Sequence, residues 1–155
     1  MAEKYIYIQT PYFIPDQPIL DSLKIAAKSG VDVRIMIPCK PDHPFVYWAT
    51  YSYLGEMAAA GARCYTYQNG FLHAKTMTVD GLVSCVGTAN MDIRSFQLNF
   101  EVNATIYSEG TAKKLEDAFE NDLLVCKEVT EETYRQRGLS IRIREQISRL
   151  FSPLL

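Results

Sequence analysis

Between Phe71 and Glu101 the chain reads FLHAKTMTVDGLVSCVGTANMDIRSFQLNFE, with His73 two residues before Lys75 and a Gly87-Thr88-Ala89-Asn90 step further on. These residue types suit phosphodiester chemistry. A phosphodiester holds negative charge on its non-bridging oxygens while an oxygen leaves, and a fixed ammonium such as Lys75 stabilises that charge. The Thr88 hydroxyl and the Asn90 amide can donate to the same oxygens. Imidazole titrates nearest neutrality, so His73 can attack phosphorus or protonate a leaving alkoxide. A carboxylate on its other ring nitrogen would fix its tautomer, and Glu101, opening the next β-like run, is the expected orienting group.

A hairpin is expected to present these groups together. Met77 to Val79 and Leu82 to Val86 are β-branched and apolar, and Asp80-Gly81 between them is a two-residue turn signal. With Val79 facing Leu82, Lys75 falls opposite Val86, His73 opposite Thr88 and Phe71 opposite Asn90. Cross-strand partners share a face, which puts His73, Lys75, Thr88 and Asn90 on one side of the ribbon. Ala74, Thr76, Thr78, Val83 and Cys85 take the other. Asp80 reads chiefly as a turn former at the ribbon tip.

His73, Lys75, Asp80, Gly87, Thr88 and Asn90 fit HxKxxxxDxxxxxxG(S/T)xN, and on this pattern the chain resembles the phospholipase D superfamily. TPYFIPD (10–16), PDHPFVYWATYSY (41–53), GFLHAK (70–75) and RLFSPLL (149–155) make it similar to the C-terminal half of a bacterial cardiolipin synthase. The resemblance implies a phosphatidyltransferase with His73, Lys75 and Asp80 in the catalytic set, joined by Glu101 as the expected orienting carboxylate, and with His73, Lys75, Thr88 and Asn90 on the substrate phosphate. It implies phosphatidylglycerol as substrate, a phosphohistidine intermediate and release of glycerol. Family members carry two signatures facing across a pseudo-twofold axis. This chain has one, so a missing N-terminal half or a second copy is expected to complete the site. The start at YIYIQ (5–9), in mid-pattern, reads as a piece of a longer enzyme. The implied parent sits on the cytoplasmic face of the bacterial cell membrane, while the fragment itself is expected to be soluble.

The elements around the signature alternate. Lys4 to Gln9 reads as a strand, Asp16 with Pro18 starts a helix to Ser29, and Val31 to Ile37 is a second strand. Phe45 to Ala60 has helical spacing, Ala62 to Tyr67 is a third strand, and Glu101 to Tyr107 follows the hairpin. Leu115, Phe119 and Leu123 form a buried stripe on a helix from Thr111 to Val125. This order predicts one α/β domain, a phospholipase D-like α/β sandwich with a mixed central sheet and helices on both faces. At 155 residues and 48% hydrophobic content, one core is within reach. No apolar run approaches the roughly 20 residues needed to span a bilayer.

Cys39, Cys64, Cys85 and Cys126 lack paired metal spacing and read as reduced thiols. No cofactor and no metal are expected, since Lys75 takes the electrostatic role a metal plays in other phosphodiesterases. Residues 133–155 hold five arginines against one glutamate, a balance of +4, whereas the remainder carries eleven basic and seventeen acidic groups, −6. An acidic body disfavours nucleic acid as a partner. The segment 139–155 pairs arginines with Ile141, Ile143, Ile147, Leu150 and Phe151, and reads either as a helix docked on its own domain or as an amphipathic helix on a membrane surface. Lys40, Asp42 and His43 lie in a proline-flanked loop, and Tyr12 and Phe13 follow a strand end where binding loops emerge. Two other functional classes fit the same residues: a homodimeric phosphodiesterase or nuclease, and an inert excised half.

Overall fold

The computed structural model describes residues 2–40 and 42–152; Pro41 and the last residues of the RLFSPLL stretch lie outside it. In chain order the elements are β1 (Tyr5–Gln9), β2 (Phe13–Ile14), α1 (Gln17–Lys28), β3 (Asp32–Pro38), α2 (Pro44–Ala59), β4 (Arg63–Tyr67), β5 (Thr76–Val79) and β6 (Val83–Gly87). There follow β7 (Met91–Asp92), α3 (Ile93–Gln97), β8 (Asn103–Tyr107), α4 (Glu109–Leu123), β9 (Cys126–Val129), α5 (Glu131–Arg135) and α6 (Leu139–Leu150). Seven strands form one sheet in the order β8-β6-β5-β1-β3-β4-β9, and β2 pairs β7 in a small second ladder. β1, β3 and β4 run parallel and the other pairings of the seven-stranded sheet are antiparallel, while β2 and β7 pair in parallel.

The local signals act where they are expected. Asp16 caps α1 by accepting from the Ile19 N–H at 3.1 Å, with Pro18 in the first turn where no N–H is needed. Ser108 caps α4 through the Thr111 N–H. β3, in the middle of the sheet, buries Val33, Ile35, Met36 and Ile37 because both its faces are covered. Ile8, Ile35 and Ile37 pack with Leu20 of α1 and Leu54 of α2, while Tyr7, Met36 and Tyr65 meet Phe119 of α4 on the opposite face. The chain is an α/β sandwich with a mixed sheet and helices on both faces. Sequence periodicity missed β2, β7, β9 and α5 and reads Ile93 to Leu98 as a turn where α3 stands, all of them too short to show a period.

The hairpin departs from its expected register. Asp80 (φ 53°) and Gly81 (φ 70°) do form the turn, closed by the Leu82 N–H donating to Val79 O at 3.0 Å. Val79, however, pairs with Val83, and Leu82 is an extra residue of the kind that makes a bulge. The slip moves every later partner by one, so Thr76 faces Val86, Met77 faces Cys85, and the Gly87 N–H bonds Lys75 O. Lys75 and Met77 therefore share a face with Cys85, not with Thr88. Thr78 and Ser84 pair on the other face and are buried.

Candidate active site

One end of the sheet gathers the signature. The carboxyl ends of β1, β3 and β4 lie there, and so do the start of β5, the end of β6 and the start of β8, since Gly87 pairs with Asn103. In open sheets with parallel strands the loops at that end commonly carry the ligand site. His73, Lys75, Thr88, Asn90 and Glu101 all belong to these loops or strand ends. Thr88 and Asn90 reach the site through the loop after β6, because the ladder stops at Gly87, and not through the shared face that the hairpin count predicted.

Gly87 is at a close crossing. A Cβ built on it would lie 1.9 Å from Asn103 Oδ1 and 2.3 Å from Val102 O, so the chain leading into β8 can approach only a glycine. That approach lets the Thr88 N–H donate to Val102 O at 3.0 Å and Thr88 Oγ1 accept from the Val102 N–H at 2.9 Å. The Thr88 hydroxyl in turn donates to Glu101 Oε2 at 2.5 Å, and Asn99 Nδ2 donates to Glu101 Oε1 at 3.2 Å. The Thr88 hydrogen bond is the largest influence holding the Glu101 carboxyl below the usual range, with Asn99 and the Lys75 charge acting the same way.

Lys75 is half-buried, and its Nζ donates to the His73 carbonyl at 3.0 Å, curling back toward that residue. Burial lowers its pKa, and the nearby carboxylates Glu101 and Asp92 pull it partly back. His73 is exposed, its ring 5.8 Å from that of Phe71. The expected hydrogen bond from the His73 ring to the Glu101 carboxylate is not made: among the described residues Glu101 accepts from Thr88 and Asn99. Lys75 and Asn90 line a cavity of about 290 Å³ whose walls include Ile8, Leu23, Met77 and Phe96. Among the described residues, Asn90 Oδ1 is buried without a hydrogen-bond partner.

Asp80 stands apart. Its carboxylate accepts from the backbone N–H groups of Glu3 (2.7 Å), Lys4 (2.9 Å) and Tyr5 (2.8 Å), tying the hairpin tip to the start of β1. Five residues of extended chain separate it from Lys75, roughly 16 Å. Its expected place in the catalytic set is corrected on that geometry: Asp80 ties the ribbon tip to β1, away from Lys75.

Sequence reading missed the residues that brace the site. Asp92 is buried and caps α3 through the Ser95 N–H at 2.7 Å, and Ser95 Oγ accepts from the Asn90 N–H at 3.1 Å. Thr10 accepts from the Met91 N–H at 3.1 Å, joining the β1 end to the signature loop. The D-x-x-S spacing after the Asn was the available signal, in the form of a helix cap. Of the loop candidates, Tyr12 hydrogen-bonds Asp42, and together with Lys40 and Phe71 they line a small cleft next to His73; Phe13 is fully buried in the core. Among the described residues no group of three or more His, Cys, Asp or Glu side chains could hold a metal ion.

Residues 1–123 match the family described as cardiolipin synthase, phospholipase D-like domain. The major cardiolipin synthase ClsA of Bacillus subtilis is 61% identical over 154 residues, covering 99% of this chain and 32% of that protein. Cardiolipin synthase of Oceanobacillus iheyensis is 58% identical, with 99% and 32% coverage. The chain thus spans about a third of the length of these relatives. Among solved structures, the phospholipase D family member Nuc of Salmonella typhimurium superposes with a TM-score of 0.72 at 22% identity, over 83% of this chain and 84% of that one. Phosphatidylserine synthase of Haemophilus influenzae does so at 0.76 and 17% identity, over 100% and 42%. These two likenesses speak for the fold. Matching the family model over residues 1–123 and carrying the signature from His73 to Asn90 at one end of the sheet, the chain belongs to the phospholipase D-like domain family of cardiolipin synthases.

Proposed function

We propose that this chain supplies one half of the active site of a phosphatidyltransferase that makes cardiolipin from two molecules of phosphatidylglycerol. The observation that carries the reading is the meeting of Lys75 and Asn90 with an apolar-walled cavity, a site with a cation for the phosphate and hydrocarbon walls for the lipid beyond it. Lys75, Thr88 and Asn90 hold the phosphate oxygens. Glu101, kept ionised by Thr88 and Asn99, stands as counter-charge to Lys75 and keeps the Thr88 hydroxyl in place. Asp80 positions the hairpin.

A second histidine comes from the other half, supplied by the same polypeptide or by a second copy. In the proposed reaction a nitrogen of that histidine attacks phosphorus, the bond from phosphorus to the glycerol oxygen breaks, and His73 passes its proton to the departing alkoxide. His73 then takes a proton from the hydroxyl of a second phosphatidylglycerol, whose oxygen displaces the histidine from phosphorus. The exposed run Phe96, Leu98, Phe100 and Val102 beside the site supports a covering partner there, because exposed apolar runs of this size usually mark interfaces. The four unpaired thiols suit the reducing, cytoplasmic face of the membrane. Among the described residues no helix is long and apolar enough to cross a bilayer.

The test is His73→Ala in the complete enzyme, with labelled phosphatidylglycerol and detection of cardiolipin and free glycerol. Turnover should fall about 1,000-fold or more with the thermal transition unchanged. Near-normal transfer by that variant would refute the role of His73, and hydrolysis to phosphatidic acid as the sole reaction would refute the transferase reading.

A further inference from the structure

α6 is docked inside out. Its buried side chains are polar: Glu145 is 0% exposed and Ser148 1%, while Leu139 is 74%, Ile143 51% and Ile147 46% exposed. The inward face is satisfied by charge. Glu145 accepts from Arg137 Nε at 2.8 Å on both oxygens and from the Tyr134 hydroxyl at 3.2 Å. Arg149 binds Glu56 of α2 at 2.5 Å. Tyr134 packs on Gly55, where a Cβ would sit 2.0 Å from its ring. Polar anchoring inward leaves the apolar stripe to solvent, the reverse of an ordinary surface helix.

The stripe continues onto α2. Phe45, 60% exposed, and Trp48 border a groove of about 310 Å³ with Arg144 and Ile147, and Arg144 lies over the Trp48 ring at 5.8 Å. Arg142 and Arg144 are exposed on either side of the stripe. A protein partner covering the apolar residues would strip water from both guanidinium groups, whereas a bilayer receives the side chains below its headgroups and meets the arginines with phosphate. The N-terminal end of α2 adjoins the Asp42 loop, which reaches Tyr12 and Phe71 and so the rim at His73.

We propose that the outward face of α6, with Phe45 and Trp48 of α2, is a landing surface for an anionic lipid bilayer. This rests on the reading of the substrate as a membrane lipid, and it names the face by which the site meets that membrane. The test uses the chain itself, sedimented with vesicles of phosphatidylcholine alone and of phosphatidylcholine mixed with phosphatidylglycerol. The chain should partition to the mixed vesicles, and both Ile143→Glu/Ile147→Glu and Arg142→Glu/Arg144→Glu should lower partitioning about tenfold or more. Ile143→Ser/Ile147→Ser, a milder change at the same exposed positions, guards against a folding defect and should also weaken binding. His73→Ala should partition like the unmodified chain. Equal partitioning of all variants, no partitioning of the chain, or vesicle-free self-association abolished by the isoleucine changes would each overturn the proposal. In the complete enzyme, Ile143→Glu/Ile147→Glu should keep turnover on phosphatidylglycerol dispersed in detergent. A complete enzyme that partitions to the mixed vesicles yet shows no phosphatidyl transfer would overturn the reaction and leave the surface standing.

Discussion

Removing the Asp80 carboxylate separates a positioning role from a chemical one. In Asp80→Ala three backbone N–H groups, those of Glu3, Lys4 and Tyr5, lose a charged acceptor. The site is near the surface, so water replaces part of each bond, leaving a net loss of about 1 kcal/mol per bond. Alanine also takes on the positive φ of 53°, which costs roughly 1 kcal/mol more. The total is about 3–4 kcal/mol, a fall in Tm of about 6–16 °C for a domain of this size. Asn tolerates the left-handed region and keeps one acceptor oxygen, so Asp80→Asn should lose only about 1–2 kcal/mol. Burial pushes the Asp80 pKa up, but the three N–H donors outweigh it and hold the carboxyl below its ordinary value. The stabilisation is therefore fully present above the unfolded pKa near 4 and disappears as pH falls through the lowered folded value. Urea melts of the chain at pH 7 and at about pH 3 measure both effects. A loss below about 0.5 kcal/mol in Asp80→Ala would refute this reasoning. So would a complete enzyme carrying Asp80→Asn that melts normally yet has lost turnover by orders of magnitude, since that outcome makes Asp80 a catalytic group.

Three other outcomes are expected. Gly87→Ala must push the β8 entry aside, with a loss of about 1–3 kcal/mol in urea melts and a drop in turnover as Thr88 shifts. Thr88→Val removes the main hydrogen bond on Glu101, so carboxyl carbon NMR should find the Glu101 pKa raised toward the usual range, while Thr88→Ser leaves it low; no movement in Thr88→Val would sink the assignment. Glu145→Ala leaves Arg137, whose side chain is only 13% exposed, without its partner and should cost about 3–5 kcal/mol in equilibrium unfolding.

What the sequence by itself determined is local chemistry. The signature residues, the Asp16 and Pro18 helix start, the Asp80-Gly81 turn and the alternation of strand and helix are decided by backbone preference and short-range periodicity, and each is legible where it stands. The tertiary structure decided the register, the partners and the orientation of faces. Asp80 binds N–H groups more than seventy residues earlier in the chain, and the extra Leu82 shifts the ladder by one, so counting outward from the turn assigned Lys75 and Thr88 to a common face that the sheet does not have. Glu101 was expected to orient His73. Its oxygens go to Thr88 and Asn99, because the crossing at Gly87 brings those groups closer. The stripe on α6 was visible as a pattern, but an amphipathic pattern does not say which face turns inward. That was settled by Arg137 and Tyr134, which bind Glu145, and by Gly55 of α2, whose lack of a side chain leaves room for the Tyr134 ring; together they favour a buried Glu145 over a buried isoleucine stripe at that place on α2.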